Sequence, residues 1–248
     1  MYNKLTFSLK DTGLALITIH CPNKDNQVNA ELAQELKQVC DDINFDTSIR
    51  VVIITGAEGK AFSTGVIRKK KGAPYSLAAP LAGLKCPTIA AVNGDATGQG
   101  LEMALACDIR IAAHTAHFAL RYIEKGLIPS DGATQRLPRL IGRAKAMELM
   151  LTGESISADE ALHIGLLSGV VPKTELMNCI LDMGKKMAGK APFALRYCKE
   201  AVLKGMDMTL DQGLRLEGDL YFLLHTTGDR TEGITAFKQK RKPRFKGK

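Results

Sequence analysis

Four apolar residues in a row, Val51-Val52-Ile53-Ile54, close at Gly56 and limit most sharply what this chain can fold into. A run that short, rich in β-branched residues and ended by a turn residue, is a buried strand. Thr88 to Val92 makes another such strand and Asp108 to Ala112 a third, with a helix between them from about Gly98 to Ala106. Upstream, Leu5 to Leu9 alternates like a half-buried strand, and Leu14 to Ile19 follows after the turn Asp11-Thr12-Gly13. Asn29 suits an N-cap, and Leu32, Ala33, Leu36, Val39, Cys40 and Ile43 follow helical spacing on one face. The first half therefore reads as strands alternating with helices, an α/β fold.

The second half reads as almost entirely helical. Ser157 to Glu160 and Thr209 to Gln212 are capping-box signatures, and Pro192 suits the first turn of a helix running to about Lys204. The change near residue 190 is one of composition, not a linker, and divides a core of residues 1–190 from a helical region of residues 191–248. A chain of 248 residues, 45% hydrophobic and 24% charged, can bury a full core. Met1 to Lys10 lacks the apolar run of a signal peptide, and no later run reaches membrane-spanning length. Six cysteines are scattered without a Cys-x-x-Cys pair, which fits free thiols in a reducing cytosol better than disulfides or zinc. A cytoplasmic location is expected.

The charge balance is basic, 34 Lys+Arg against 26 Asp+Glu. Part of the excess lies in Arg68 to Lys71 and in Lys238 to Lys248. These runs are either solvated surface, with a flexible tail at Lys246 to Lys248, or sites for a phosphate-bearing partner. Aromatics at 5%, no Trp, and no RNA- or zinc-binding pattern disfavour nucleic acid. A polyanionic small molecule fits better.

Two glycine-containing turns follow buried strands: Gly59 to Val66, and Asn93 to Glu102. In the second, Gly98 and Gly100 bracket Gln99 where a helix begins. First-turn amides have no partner within the helix, and the helix dipole favours negative charge there, so such a turn can serve a developing oxyanion. Neither turn has dinucleotide or Walker spacing. Ala61 to Gly65 lacks the first glycine of a nucleophile elbow, so Ser63 is read as a turn residue, and His114 and His117 as ordinary histidines. Glu102 lies inside the apolar run Leu101 to Cys107. A buried carboxylate needs a partner, either a salt bridge to Arg110 or a role as general acid/base beside the amide donors.

In this order and spacing the segments resemble the crotonase (enoyl-CoA hydratase/isomerase) family along nearly the whole chain. The resemblance rests on Cys21 to Asn26, Gly59 to Val66, Pro87 to Glu102 with Cys107-Asp108, Gly126 to Pro129 with Thr134 to Leu137, Leu151 to Gly153, and Glu232 to Phe237 with Lys240 to Pro243. It implies a spiral of strand-strand-helix repeats with a helical C-terminal trimerisation region, the trimers often paired into hexamers. It also implies an acyl-coenzyme A substrate, with coenzyme A as carrier and no prosthetic group. The thioester enolate would be held by the backbone amides of Val66 and Gln99, each worth about 3 kcal/mol in the transition state. Lys24, Val66, Ile67 and Arg68 would lie near the carrier's adenosine and phosphates, and Phe237 and Lys240 would reach coenzyme A, across a subunit interface.

Two departures bear on the reaction. The first catalytic glutamate of a family hydratase falls on Glu102, but the second falls on Tyr122, whose phenol has a reference pKa of about 10 and is a poor neutral-pH base, though a competent donor. Glu124 and Asp131 are nearby carboxylates off that register. Ile67 stands where an Asp is usual, before a short, basic, proline-bearing segment that would wall the acyl pocket. The expected activity is a hydratase/isomerase-type lyase. The alternatives are decarboxylation or thioester hydrolysis, and a non-catalytic RNA-binding protein on the same scaffold.

Overall fold

The computed structural model describes residues 2–10, 13–21, 25–65 and 75–248. Its centre is a six-stranded sheet in the order β1 (Leu5–Lys10), β2 (Leu14–Ile19), β3 (Val51–Gly56), β4 (Thr88–Val92), β6 (Ile109–Ala113), β9 (Gly169–Val171). Strands β1 and β2 pair antiparallel, and every later pair is parallel. A parallel sheet covered on both faces explains why β3 and β4 read as unbroken apolar runs. Val52, Ile54, Ala90 and Val92 enter one core, whereas Val51, Ile53, Ile89 and Ala91 enter the other.

Helix α1 (Ala30–Phe45) lies in the first core and buries the six residues of the predicted stripe. Its cap is as expected, with the Asn29 side chain accepting from the Leu32 amide. Helices α2 (Ala78–Ala82) and α3 (Gln99–Ala106) share that core. The second core is closed by α7 (Leu176–Ala188), which brings Leu176, Ile180 and Ala188 onto the sheet.

The half expected to be helical also contributes strands. β8 (Ile156–Ser157) joins β5 (Ala96–Thr97) and β7 (His117–Ala119) in a small second sheet, and β9 extends the large sheet beside β6. Two- and three-residue strands are too short to show a period, and their pairing comes from the edge they meet. Helices α4 (Ala133–Ile141), α5 (Arg143–Thr152) and α6 (Ala158–His163) link these strands. The chain ends in α8 (Pro192–Gly205), α9 (Leu210–Leu224) and α10 (Gly228–Lys238), with Pro192 in the first turn of α8 and a complete capping box at Thr209 and Gln212. Lys199 ties α8 to the sheet through Asp108 at 2.8 Å and the Cys86 carbonyl at 3.0 Å.

The terminal lysines depart from the expected flexible tail. The Lys246 and Gly247 amides donate to the buried carboxylate of Asp229 at 2.7 and 2.8 Å, and Gly228 donates to the Lys248 carbonyl at 2.7 Å. An acidic first turn in α10 thus holds the backbone, while the lysine side chains at 246 and 248 stay exposed.

Candidate active site

The two glycine turns meet. Ser63 forms a parallel bridge with Ala96, its carbonyl accepting from the Thr97 amide at 2.9 Å. Ser63 is a buried structural residue, as read, with its hydroxyl donating to the Asn26 carbonyl at 3.0 Å. Asn93 locks the approach from the other side, accepting from the Gly56 amide at 2.9 Å and donating to the Lys60 carbonyl at 3.1 Å. Helix α3 starts so close to this bridge that a Cβ on Gly100 would sit 2.0 Å from the Ser63 carbonyl oxygen. Gly98 is in the left-handed region, with φ +55°, and its amide donates to the Ala119 carbonyl at 2.9 Å. This bend stands at the start of α3, whose first-turn amides, beginning at Gln99, have no partner within the helix. Gly65 lies against the same turn, its would-be Cβ 4.0 Å from the Gln99 nitrogen.

Glu102 is fully buried one helical turn further on. Its Oε2 accepts from the Tyr122 hydroxyl at 2.5 Å, and its Oε1 accepts from the amides of Asp131 at 2.8 Å and Ala133 at 3.1 Å. Burial pushes its carboxyl above the ordinary glutamate value, opposed by these three donors, while the charge of Asp131 pushes the same way as burial. The salt bridge to Arg110, weighed from the sequence, is not formed. That guanidinium turns to the carbonyls of Leu166 and Cys107 instead.

Tyr122 precedes a single 3-10 turn, Ile123–Lys125, and is half-buried. Its hydroxyl lies 3.7 Å from where a Gly98 Cβ would be, so the phenol reaches the candidate oxyanion turn as well as Glu102. Glu124 does not enter this group. It is exposed and faces Arg121 at 3.9 Å. Asp131 enters through its backbone only, since its buried carboxylate accepts from the Ser76 hydroxyl and from the Leu77 and Ala78 amides at 2.7 and 2.9 Å. The Gln99 side chain is buried too, with Nε2 donating to the Tyr75 carbonyl at 3.1 Å and Oε1 without a hydrogen-bond partner among the described residues.

Gln99, Glu102 and Tyr122 are therefore brought together. Lys24, Val66, Ile67 and Arg68 lie outside the described residues. Phe237 and Lys240 stand exposed at the end of α10 and just past it, apart from the hydrogen bonds of the Glu102 group. His117 is an exposed partner of Asp95 at 3.2 Å. Sequence reasoning missed the amides of Asp131 and Ala133 and the segment Tyr75 to Ala78. Backbone donors leave no mark in residue identity, and Asp131 itself was the only trace.

The family model for enoyl-CoA hydratase/isomerase matches residues 10–248. The chain is 38% identical to (E)-benzylidenesuccinyl-CoA hydratase of Thauera aromatica, over 94% of this chain and 96% of that one. It is 36% identical to short-chain-enoyl-CoA hydratase of Clostridium acetobutylicum, over 94% of each. The crystal structure of enoyl-CoA hydratase from Bacillus anthracis superposes with a TM-score of 0.94 at 37% identity, covering 99% of this chain and all of that one. A matching sequence over the whole length, on a matching fold, places the chain in the enoyl-CoA hydratase/isomerase (crotonase) family.

Proposed function

We propose that this protein acts on an acyl-coenzyme A thioester, holding its enolate on backbone amides, in a hydratase/isomerase-type reaction whose protons move through Tyr122 and Glu102. The observation that carries the reading is the 2.5 Å hydrogen bond between these two side chains beside the Gly98–Gln99 turn. A contact that short belongs to the charge-assisted class, with an ionised carboxylate accepting from the phenol.

The hydrogen-bond inventory suggests how the pair would work. Each carboxylate oxygen offers two lone pairs. Among the described residues two amides occupy those of Glu102 Oε1 and Tyr122 takes one on Oε2, which leaves a site on Oε2 next to the phenol. In hydration, a water held there gives a proton to Glu102 as its oxygen bonds to the β-carbon. The thioester oxygen takes up negative charge against the amides of Gln99 and Val66, and Tyr122 gives its proton to the α-carbon. Glu102 then returns the acquired proton to the phenolate through their shared hydrogen bond. The net change is one water added, and the site is restored. Double-bond isomerisation needs no water, because the pair removes one carbon-bound proton and replaces it two carbons away.

Decarboxylation or thioester hydrolysis is the second reading, favoured by the full burial of Glu102 against the half-buried phenol. Tyr122 as the accessible group suits a reaction needing fewer proton transfers. The carrier's adenosine and phosphates would lie near Lys24 and the stretch Val66 to Arg68, with Phe237 and Lys240 supplied by a neighbouring subunit. A trimer, or a pair of trimers, built by residues 191–248 would cover the apolar side chains exposed there, including Leu210, Tyr221, Phe222 and Phe237 at 78%, 60%, 70% and 85%.

Loss of the conjugated thioester absorbance of crotonyl-CoA tests the reading, measured with the natural chain, Glu102→Gln and Tyr122→Phe. Turnover abolished by Glu102→Gln supports the hydratase assignment. Binding without turnover moves the reaction to the second reading. An absence of binding removes the acyl-coenzyme A proposal.

A further inference from the structure

Asp131 is a carboxylate within the catalytic loop whose charge is turned away from the catalytic group. Its side chain is 93% buried by relative exposure of 7%, yet it contributes no atom to the Tyr122–Glu102 pair. One carboxylate oxygen accepts from both the Leu77 and Ala78 amides, at 2.7 and 2.9 Å, and the other from the Ser76 hydroxyl. Those donors are the start of α2, where unpaired amides welcome an anion. The same residue's main-chain amide donates to Glu102 Oε1 at 2.8 Å, and its carbonyl accepts from Arg136 on α4 at 2.9 Å. The loop is thus pinned on one side to α2 and on the other to α4, with the catalytic carboxylate between.

We propose that Asp131 is a positioning residue for Glu102: its side chain fastens the loop to the start of α2 so that the Asp131 and Ala133 amides stay aimed at Oε1. The inference rests on Glu102 being the reacting carboxylate, but its geometry does not depend on which acyl reaction is run. Without the clamp, nothing else among the described hydrogen bonds holds the loop to Ser76–Ala78, and Oε1 loses the donors that favour its ionised form. The clamp also joins two parts of the site. Gln99 grips the Tyr75 carbonyl from the oxyanion turn while Asp131 grips the next three residues, so the wall following residue 74 is fixed to both catalytic elements.

Among the described residues, the charged and titratable groups around Glu102 are Tyr122 from the turn before Ile123 and Asp131 from the loop before α4, with Arg136 behind Asp131. Two substitutions at Asp131 therefore separate anchoring from charge. Asp131→Ala removes both. The loss of the amides outweighs the loss of one neighbouring negative charge, and the Glu102 titration midpoint rises. Asp131→Asn keeps the anchor, because its oxygen can take both amides and its NH2 can donate to Ser76. It removes only the charge, and the midpoint falls.

The test follows the Glu102 carboxyl by carbon-13 NMR in protein labelled at glutamate, the resonance assigned by its absence in Glu102→Gln, alongside kcat and KM on crotonyl-CoA. The expected result is opposite shifts in the two variants, with kcat down about 100-fold and KM little changed in Asp131→Ala, and kcat restored to within a few-fold in Asp131→Asn. A residue that only stabilises the fold would lower the melting temperature of Asp131→Ala and leave the midpoint and kcat of the folded protein unmoved, which overturns the proposal. If Asp131→Ala does not fold, Ser76→Ala weakens the same clamp and must raise the midpoint by a smaller amount; no shift there also overturns it. The NMR arm needs no substrate. Opposite midpoint shifts in a protein inert toward crotonyl-CoA would count against the hydratase reading and leave the positioning role standing.

Discussion

Tyr122 and Glu102 share one proton-carrying contact of 2.5 Å, made by residues twenty positions apart, one ahead of a 3-10 turn and one inside α3. Glu102 is fully buried, whereas Tyr122 is half-buried, so the phenol is the more exposed of the two.

Replacing Tyr122 with Phe keeps the ring and removes the donor. On crotonyl-CoA, kcat falls about 100- to 10,000-fold, the usual cost of losing a positioned acid. The same change strips Oε2 of the phenol's hydrogen bond and raises the Glu102 carboxyl further. Steady-state kinetics across pH read both effects. Unchanged kcat would remove Tyr122 from the mechanism.

The pH dependence of activity follows from the raised carboxyl of Glu102. If Glu102 must be ionised to accept a proton, kcat/KM declines on the acid side at a pH above 4.5, the ordinary value for glutamate. Stability moves the other way. The folded chain holds this proton more tightly than the unfolded chain, so the contribution is greatest below pH 4.5 and is lost as pH rises through the folded value. Urea midpoints of the natural chain and Glu102→Gln, compared across that window, should converge at low pH and favour Gln as pH rises.

Gln99 carries a main-chain donor and a side chain that is half satisfied. Gln99→Met has a similar length and removes both the Tyr75 bond, worth about 1 kcal/mol, and a buried acceptor with no partner among the described residues, which costs about 1–3 kcal/mol. Stability by urea titration is expected to hold or rise by about 1 kcal/mol, and kcat to stay within a few-fold. A large loss of kcat would show that the Gln99 side chain meets the substrate.

Asp229 fastens the chain's last residues to α10. Asp229→Ala deletes two hydrogen bonds to a charged acceptor, and about 2–3 kcal/mol of stability should go with them. Digestion by carboxypeptidase, followed by mass spectrometry, should then remove residues that resist it in the natural chain. Equal resistance would show that the anchor contributes little.

The large sheet was legible because burial on both faces writes itself into Val51–Ile54 and Thr88–Val92 without interruption. α1 was equally plain from its cap and stripe. Glu102 could be singled out because a carboxylate in an apolar helix conflicts with its surroundings, and Gly98 and Gly100 because a tight turn requires them. Its partners were harder. The Asp131 and Ala133 amides belong to the backbone, and Arg110 competes on paper as well as Tyr122 until the fold turns its guanidinium to carbonyls. β9 owes its existence to the free edge of β6, a long-range cause that three residues cannot announce.

The 2.0 Å gap between a Gly100 Cβ and the Ser63 carbonyl divides the turn that opens α3 into two kinds of position. At residue 100 any side chain must push two backbones apart, so variation there is closed. One residue earlier the chain already accommodates a glutamine. Sequence diversity introduced into this turn is therefore better placed at position 99 than at position 100, where each new side chain must first displace the Ser63 carbonyl.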